Sequence, residues 1–121
     1  MKLRFEENSI RLRLTESEVA QFAQSGRVSV VVPLGPTERE NLTYALERSE
    51  SEEFRITHGA GAITVKVPAT LATNWTSTDQ NGLSATLMMA GSQPLKVMVE
   101  KDLDCKHRNT GGIMGRVGPG E

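Results

Sequence analysis

Shifted by 53 residues, the chain lies over itself without a gap, and this internal likeness limits its possible folds more than any other feature. Ile10, Leu12 and Leu14 fall on Ile63, Val65 and Val67, and Arg13 falls on Lys66. Thr15 falls on Pro68, Val19 on Ala72 and Phe22 on Trp75. Further along, Leu42, Tyr44, Leu46, Glu47 and Arg48 fall on Leu95, Val97, Val99, Glu100 and Lys101, and at the start Leu3 falls on Ile56. Identity is low, with Leu42/Leu95 and Glu47/Glu100 among the identical pairs, so the likeness is one of chemical kind.

What repeats is a pattern of strands. Apolar and polar residues alternate in eight short runs, the signal of a strand with one buried face. The inward sets are Leu3/Phe5, Ile10/Leu12/Leu14, Val28/Val30/Val32, Leu42/Tyr44/Leu46, Phe54/Ile56, Ile63/Val65/Val67, Leu83/Ala85/Leu87 and Leu95/Val97/Val99. Two stretches break the period. Thr15 and Glu18 have capping-box spacing ahead of Val19, Phe22 and Ala23, which predicts a short helix. Pro68 suits a helix start, and Leu71, Ala72 and Trp75 then share a face at helical spacing. The expected fold is therefore α+β: tandem strand-strand-helix-strand-strand units, about eight mostly antiparallel strands, and two short helices on one side. The sheet is either open or closed into a barrel. Residues 1–108 are expected to form one domain of two pseudo-repeats, 1–53 and 54–106, followed by a glycine-rich tail, 109–121.

Composition narrows the function classes. A 121-residue chain can bury one core without staples, and a net charge of −1 gives no global field for nucleic acid or an anionic membrane. A single cysteine, Cys105, forms no internal bridge, and no apolar stretch approaches a membrane span, so the expected compartment is the cytoplasm. The five aromatics, Phe5, Phe22, Tyr44, Phe54 and Trp75, all sit at core-facing positions, which leaves no stacking platform and argues against single-stranded nucleic acid.

The second face of the strands holds the informative residues. Lys2, Arg4, Arg11, Arg13, Arg55, Lys66 and Lys96 lie opposite the apolar sets, against Glu47 and Glu100. Most other carboxylates fall in turns and in the first helix. If the strands close into a barrel with helices outside, these cations converge in a confined space that selects polyanions, since guanidinium forks match phosphate oxygens. If the sheet stays open, they are a solvated face. The Cys105/His107 pair is too sparse for a zinc site, and nothing orients a base beside the thiol, so no catalytic or metal-binding residue and no cofactor is assigned. Gly111-Gly-Ile-Met-Gly-Arg precedes no helix that would make it a phosphate loop.

Two resemblances follow. A duplicated unit with a cationic wall looks like the triphosphate tunnel fold, but the metal-binding ExExK strand of those enzymes is replaced here by Lys2-Leu-Arg-Phe-Glu-Glu7. Second, Asn8-Ser-Ile-Arg-Leu-Arg-Leu-Thr, Trp75-Thr-Ser-Thr-Asp-Gln-Asn-Gly and Val99-Glu-Lys-Asp-Leu-Asp-Cys105 together resemble a family of small uncharacterised bacterial proteins. That resemblance implies no activity. The residues themselves favour binding over turnover: an anionic or phosphate-bearing small molecule held by Arg4, Arg11, Arg13, Arg55 and Lys66, oriented by Glu47 and Glu100. The alternatives are an interaction module, such as a homodimer formed through a strand edge, and a tunnel-type phosphohydrolase.

Overall fold

A computed structural model describes residues 1–102 of the chain. Cys105, His107 and the glycine-rich tail lie outside the described residues. The first half runs β1 (Lys2–Glu6), β2 (Ser9–Leu14), α1 (Glu16–Ser25), β3 (Arg27–Val32) and β4 (Leu42–Ser49). The second runs β5 (Arg55–Gly59), β6 (Ala62–Pro68), α2 (Ala69–Ser77), β7 (Gly82–Met88) and β8 (Pro94–Lys101). Each half is thus strand, strand, helix, strand, strand.

Local chemistry sets the helix ends. Thr15 Oγ1 accepts from the Glu18 amide at 3.3 Å and the Glu18 carboxylate accepts from the Thr15 amide at 2.9 Å, closing the expected capping box. At the other end of α1, Gly26 adopts φ 81° and donates to the Phe22 carbonyl at 2.8 Å. Glycine suits this left-handed position because it has no Cβ to clash with its own carbonyl. Pro68 caps α2 from the last position of β6.

The strands form two sheets of four, ordered β1-β2-β8-β7 and β3-β4-β6-β5, and no closed barrel. The physical reason lies in the area to be covered. Two helices of ten and nine residues cannot bury the apolar face of eight strands, so the two sheets bury one another. Ile10, Leu12, Leu14, Val97 and Val99 of one sheet and Leu46, Val65 and Val67 of the other enter a single core with Phe22 and Trp75. Both helices lie at the end of the sandwich where β2 and β6 finish.

Pairing weaves the halves together. Each sheet joins the first hairpin of one half to the second hairpin of the other through a central parallel pair, β2 with β8 and β4 with β6. The registers repeat: Leu12 faces Val99 where Val65 faces Leu46, and Arg13 faces Glu100 where Lys66 faces Glu47. The 53-residue shift holds for these strands but not for the whole chain. Arg27 faces Glu47 as Gly82 faces Glu100, so β3 and β7 are offset by 55 residues. Two extra residues ahead of β7 are compensated in the shorter connection to β8.

Three residues expected to face the core, Phe5, Ala23 and Leu71, are exposed. Phe5 points to the inward side of edge strand β1 but is 61% exposed, and Leu71 on α2 is 42% exposed. Leu3, two residues earlier on the same face of β1, does pack against the core. Trp75, by contrast, is fully buried. Its indole N–H donates to the Asn81 carbonyl at 3.0 Å, and it meets its repeat equivalent Phe22 edge-on, with ring centroids 6.1 Å apart. Lys101 Nζ sits 5.7 Å from the indole ring and donates to the Thr78 carbonyl at 2.7 Å.

Trp75→Ala removes the seam between the helices and should lower unfolding free energy by about 3–5 kcal/mol in urea titration; a loss below about 1 kcal/mol would contradict this packing. Glu18 gives a second test. Burial works to raise its pKa, but hydrogen bonds from the Met1 amine and Thr15, with the ammonium charge, outweigh burial and hold it below the ordinary carboxylate value. A depressed folded-state pKa stabilises above the unfolded value and is lost as pH falls through the folded one. Stability should therefore decline on acidification below the ordinary carboxylate range, and Glu18→Gln should flatten that decline when urea midpoints are compared between pH 7 and pH 3.

Candidate functional site

The alternation that buries Ile10, Leu12 and Leu14 turns Ser9, Arg11 and Arg13 to the outer face of the first sheet. Across that face three rows run from β1 to β7. The first is Lys2, Arg13, Glu100 and Gly82; the second is Arg4, Arg11, Met98 and Ser84; the third is Glu6, Ser9, Lys96 and Thr86. Five cations stand on it against two carboxylates.

Four of these cations form a compact block on adjacent strands, with Lys2 directly opposite Arg13 and Arg4 directly opposite Arg11. Opposed side chains on neighbouring strands have Cβ atoms about 4.5–5.5 Å apart, and like charges there are destabilising. One group offsets the repulsion from the β8 side. Glu100 Oε1 lies 3.6 Å from Arg11 Nε and 3.4 Å from Arg13 Nε. Gly82 makes room for it, because a Cβ at that position would come within 3.2 Å of Glu100 Cγ. Arg11 also lays its Nη2 3.8 Å from Met98 Sδ, which roots the side chain on the sheet. Arg4 and Lys2 are freer, with weak contacts to Glu6 at 4.0 Å and Asp102 at 3.8 Å.

The residues expected to act together separate into two groups. Arg4, Arg11, Arg13 and Glu100 share this face, whereas Arg55, Lys66 and Glu47 lie on the outer face of the other sheet. There Arg55 faces Lys66, Lys66 faces Glu47, and Glu47 pairs with Arg27 at 3.6 Å. Arg55 donates to Ser51 Oγ at 3.2 Å. With two sheets in place of a barrel there is no lumen in which all seven converge. Lys2 completes the block on the first sheet and Lys96 stands in the row beside it. Their parity marks them as outward-facing in the sequence, but only the pairing of β1 and β8 with β2 assigns them to the same surface.

A cavity of about 520 Å³ opens elsewhere, between the start of α1 and the end of α2, lined by Glu16, Val19, Thr76, Asp79, Lys101 and Asp102 among others. Among the described residues no three histidine, cysteine or carboxylate groups come close enough to hold a metal ion. No helix there is long and apolar enough to cross a membrane.

The half-buried, solvent-facing Arg13–Glu100 pair predicts a modest energetic role. A double-mutant cycle with Arg13→Ala and Glu100→Ala should give a coupling of about 1 kcal/mol or less in urea titrations, and a value near 3–5 kcal/mol would mark it as a buried structural bridge instead.

In comparison with known proteins, a model described as Family of unknown function (DUF7009) matches residues 1–111. No curated protein and no solved structure matches the chain.

Proposed function

The chain belongs to this family of unknown function, and from that premise, which assigns no activity, we propose that it is a cytoplasmic binding domain whose cationic block takes an anionic, phosphate-bearing ligand. One observation carries the reading: two like-charge pairs, Lys2/Arg13 and Arg4/Arg11, stand side by side on adjacent strands of a chain whose net charge is −1. A sheet surface chosen for stability alone alternates its charges across strands. Here repulsion is retained, and an anion seated between the pairs would relieve it. Arg11 and Arg13 are the better anchored donors, held by Glu100 on one side and open toward β1 on the other. Arg4 and Lys2, exposed on that strand, would add their charges to the ligand from the β1 side. Arg55 and Lys66 form a smaller second patch on the far sheet, opposed by Glu47.

Among the described residues the carboxylates beside the block, Glu6, Glu100 and Asp102, are paired with its own cations, and binding without turnover is the chemistry proposed for it. Screening in bulk solvent keeps each exposed contact weak, so affinity should grow with the number of ligand charges. The melting temperature should therefore rise in the order phosphate, pyrophosphate, triphosphate when measured by thermal shift at low salt. Raising the salt concentration should shrink the shift. Arg11→Ala/Arg13→Ala should abolish most of it, while Arg55→Ala/Lys66→Ala should leave most of it in place. Equal shifts in both double variants, or none in the unaltered protein, would sink the reading.

A further inference from the structure

Four strands border the two sheets, and their open edges differ in chemistry. In β7 the hydrogen-bonding direction follows from two bonds at its ends. Lys101 donates to the Asn81 carbonyl at 3.0 Å and Met89 to the Gln93 carbonyl at 2.7 Å, each pair standing directly opposite in the β7–β8 register. Bonded positions alternate along an antiparallel ladder, so Leu83, Ala85 and Leu87 bond β8 while Ser84, Thr86 and Met88 aim N–H and C=O outward. The Gly82 carbonyl is already taken by Gln80 Nε2 at 3.0 Å. Ser84, Thr86 and Met88 are exposed, Met88 at 65%.

The other edges are guarded. On β3, Arg48 donates to the Gly26 carbonyl at 2.8 Å, which sets Arg27, Ser29 and Val31 outward. Ser25 Oγ closes both backbone groups of Arg27, at 3.3 and 2.9 Å, and Pro33, which has no N–H, follows the strand. On β1 the outward residues are Leu3 and Phe5; pairing this strand with its own copy through them would set Arg4 against Arg4. Strand β5 opens with an exposed arginine, Arg55, and presents only Ile56 and His58 between it and Gly59. Charges, prolines and short lengths are the usual protections of a strand edge. Strand β7 has none of them: Gly-Leu-Ser-Ala-Thr-Leu-Met contains no charged residue and no proline.

We propose that β7 pairs antiparallel with β7 of a second copy of this chain, Thr86 against Thr86, about a two-fold axis normal to the sheet. In that register every outward N–H and C=O of Ser84, Thr86 and Met88 finds a partner, and Ser84 lies beside the other copy's Met88. No charge meets a like charge across the junction, and threonine beside threonine is a favourable cross-strand pair. Such an interface is isologous and closes as a dimer. The two four-stranded sheets become one of eight, with both cationic faces on the same side. The two β2 strands then stand about 24 Å apart, five strand spacings of about 4.8 Å. On the reading of the cationic block given above, the dimer would present two anion sites to one extended ligand.

Sedimentation across concentration tests the dimer without any ligand. The apparent mass should climb from the 13.2 kDa of one chain toward twice that value as concentration rises. Thr86→Lys places like charges at the axis and should hold the protein at monomer mass, whereas Val31→Lys on β3 should not. Thr86→Pro offers a second route, because its missing N–H faces outward and the monomer's own ladder is untouched; circular dichroism and melting temperature check that it folds. In a Cys105→Ser background, Thr86→Cys should crosslink into dimers under mild oxidation, since opposed residues in a bonded pair have Cα atoms about 5.5 Å apart, within disulfide reach. Ser29→Cys should not crosslink. Monomer mass at every concentration, or a dimer indifferent to both Thr86 substitutions, overturns the proposal. Arg11→Ala/Arg13→Ala should still dimerise, so a failed anion test leaves this interface standing and a failed dimer leaves the anion site of each copy intact.

Discussion

The two parallel strand pairs, β2 with β8 and β4 with β6, hold the whole molecule together. Each half of the chain alone would be two hairpins joined by a short helix, and a two-stranded hairpin is marginal in water. The crossed arrangement gives each hairpin a neighbour from the other half, so that Ile10 and Leu12 meet Val97 and Val99 at the middle of a sheet rather than at its border. Cooperativity follows from the same exchange. The segment at residues 9–14 must find the one at residues 96–101 before the first sheet exists, a closure over most of the chain that carries a large entropic cost.

Duplication explains why such a closure can be specific. Both parallel pairs use the same register, with Ile10 and Leu12 set against Val97 and Val99 as Ile63 and Val65 are against Tyr44 and Leu46, and a cation set against a glutamate at the next outward position. A slip of one residue would turn both apolar sets to solvent at once. Where the repeat departs from strict spacing, at β7, it does so on a border strand, which has a neighbour on one side only and can shift by two residues without changing which face is buried.

Local periodicity made the strands, both helices and the Thr15/Glu18 cap legible in the sequence, because each depends on neighbours within a few positions. Sheet partnership depends on distant positions and was not legible. Arg11 and Lys66 carry the same signal in the sequence, a cation between two buried aliphatic residues, yet they stand on different sheets. Phe5 shows the complementary limit. Its parity is inward, but it is 61% exposed, because whether an inward position is covered depends on distant packing that no alternation records. The block of Lys2, Arg4, Arg11 and Arg13 was half legible, since one hairpin carries all four while the parallel neighbour β8 brings Glu100 and Lys96.

The repeat also supplies an internal control for the meaning of that block. The positions of Lys2 and Arg13 on one sheet are held by Arg55 and Lys66 on the other, but the positions of Arg4 and Arg11 are held by Thr57 and Thr64. Where the first sheet has Gly82 beside its glutamate, the second has Arg27, which pairs with Glu47. Glu100, with only glycine next to it on β7, turns instead to Arg11 and Arg13. Solubility alone makes the same demand of both outer faces, and a threonine pair meets it without repulsion. The two outer faces of one architecture therefore differ by four closely set cations, two of them paired to Glu100, and this asymmetry is what the proposed anion site rests on.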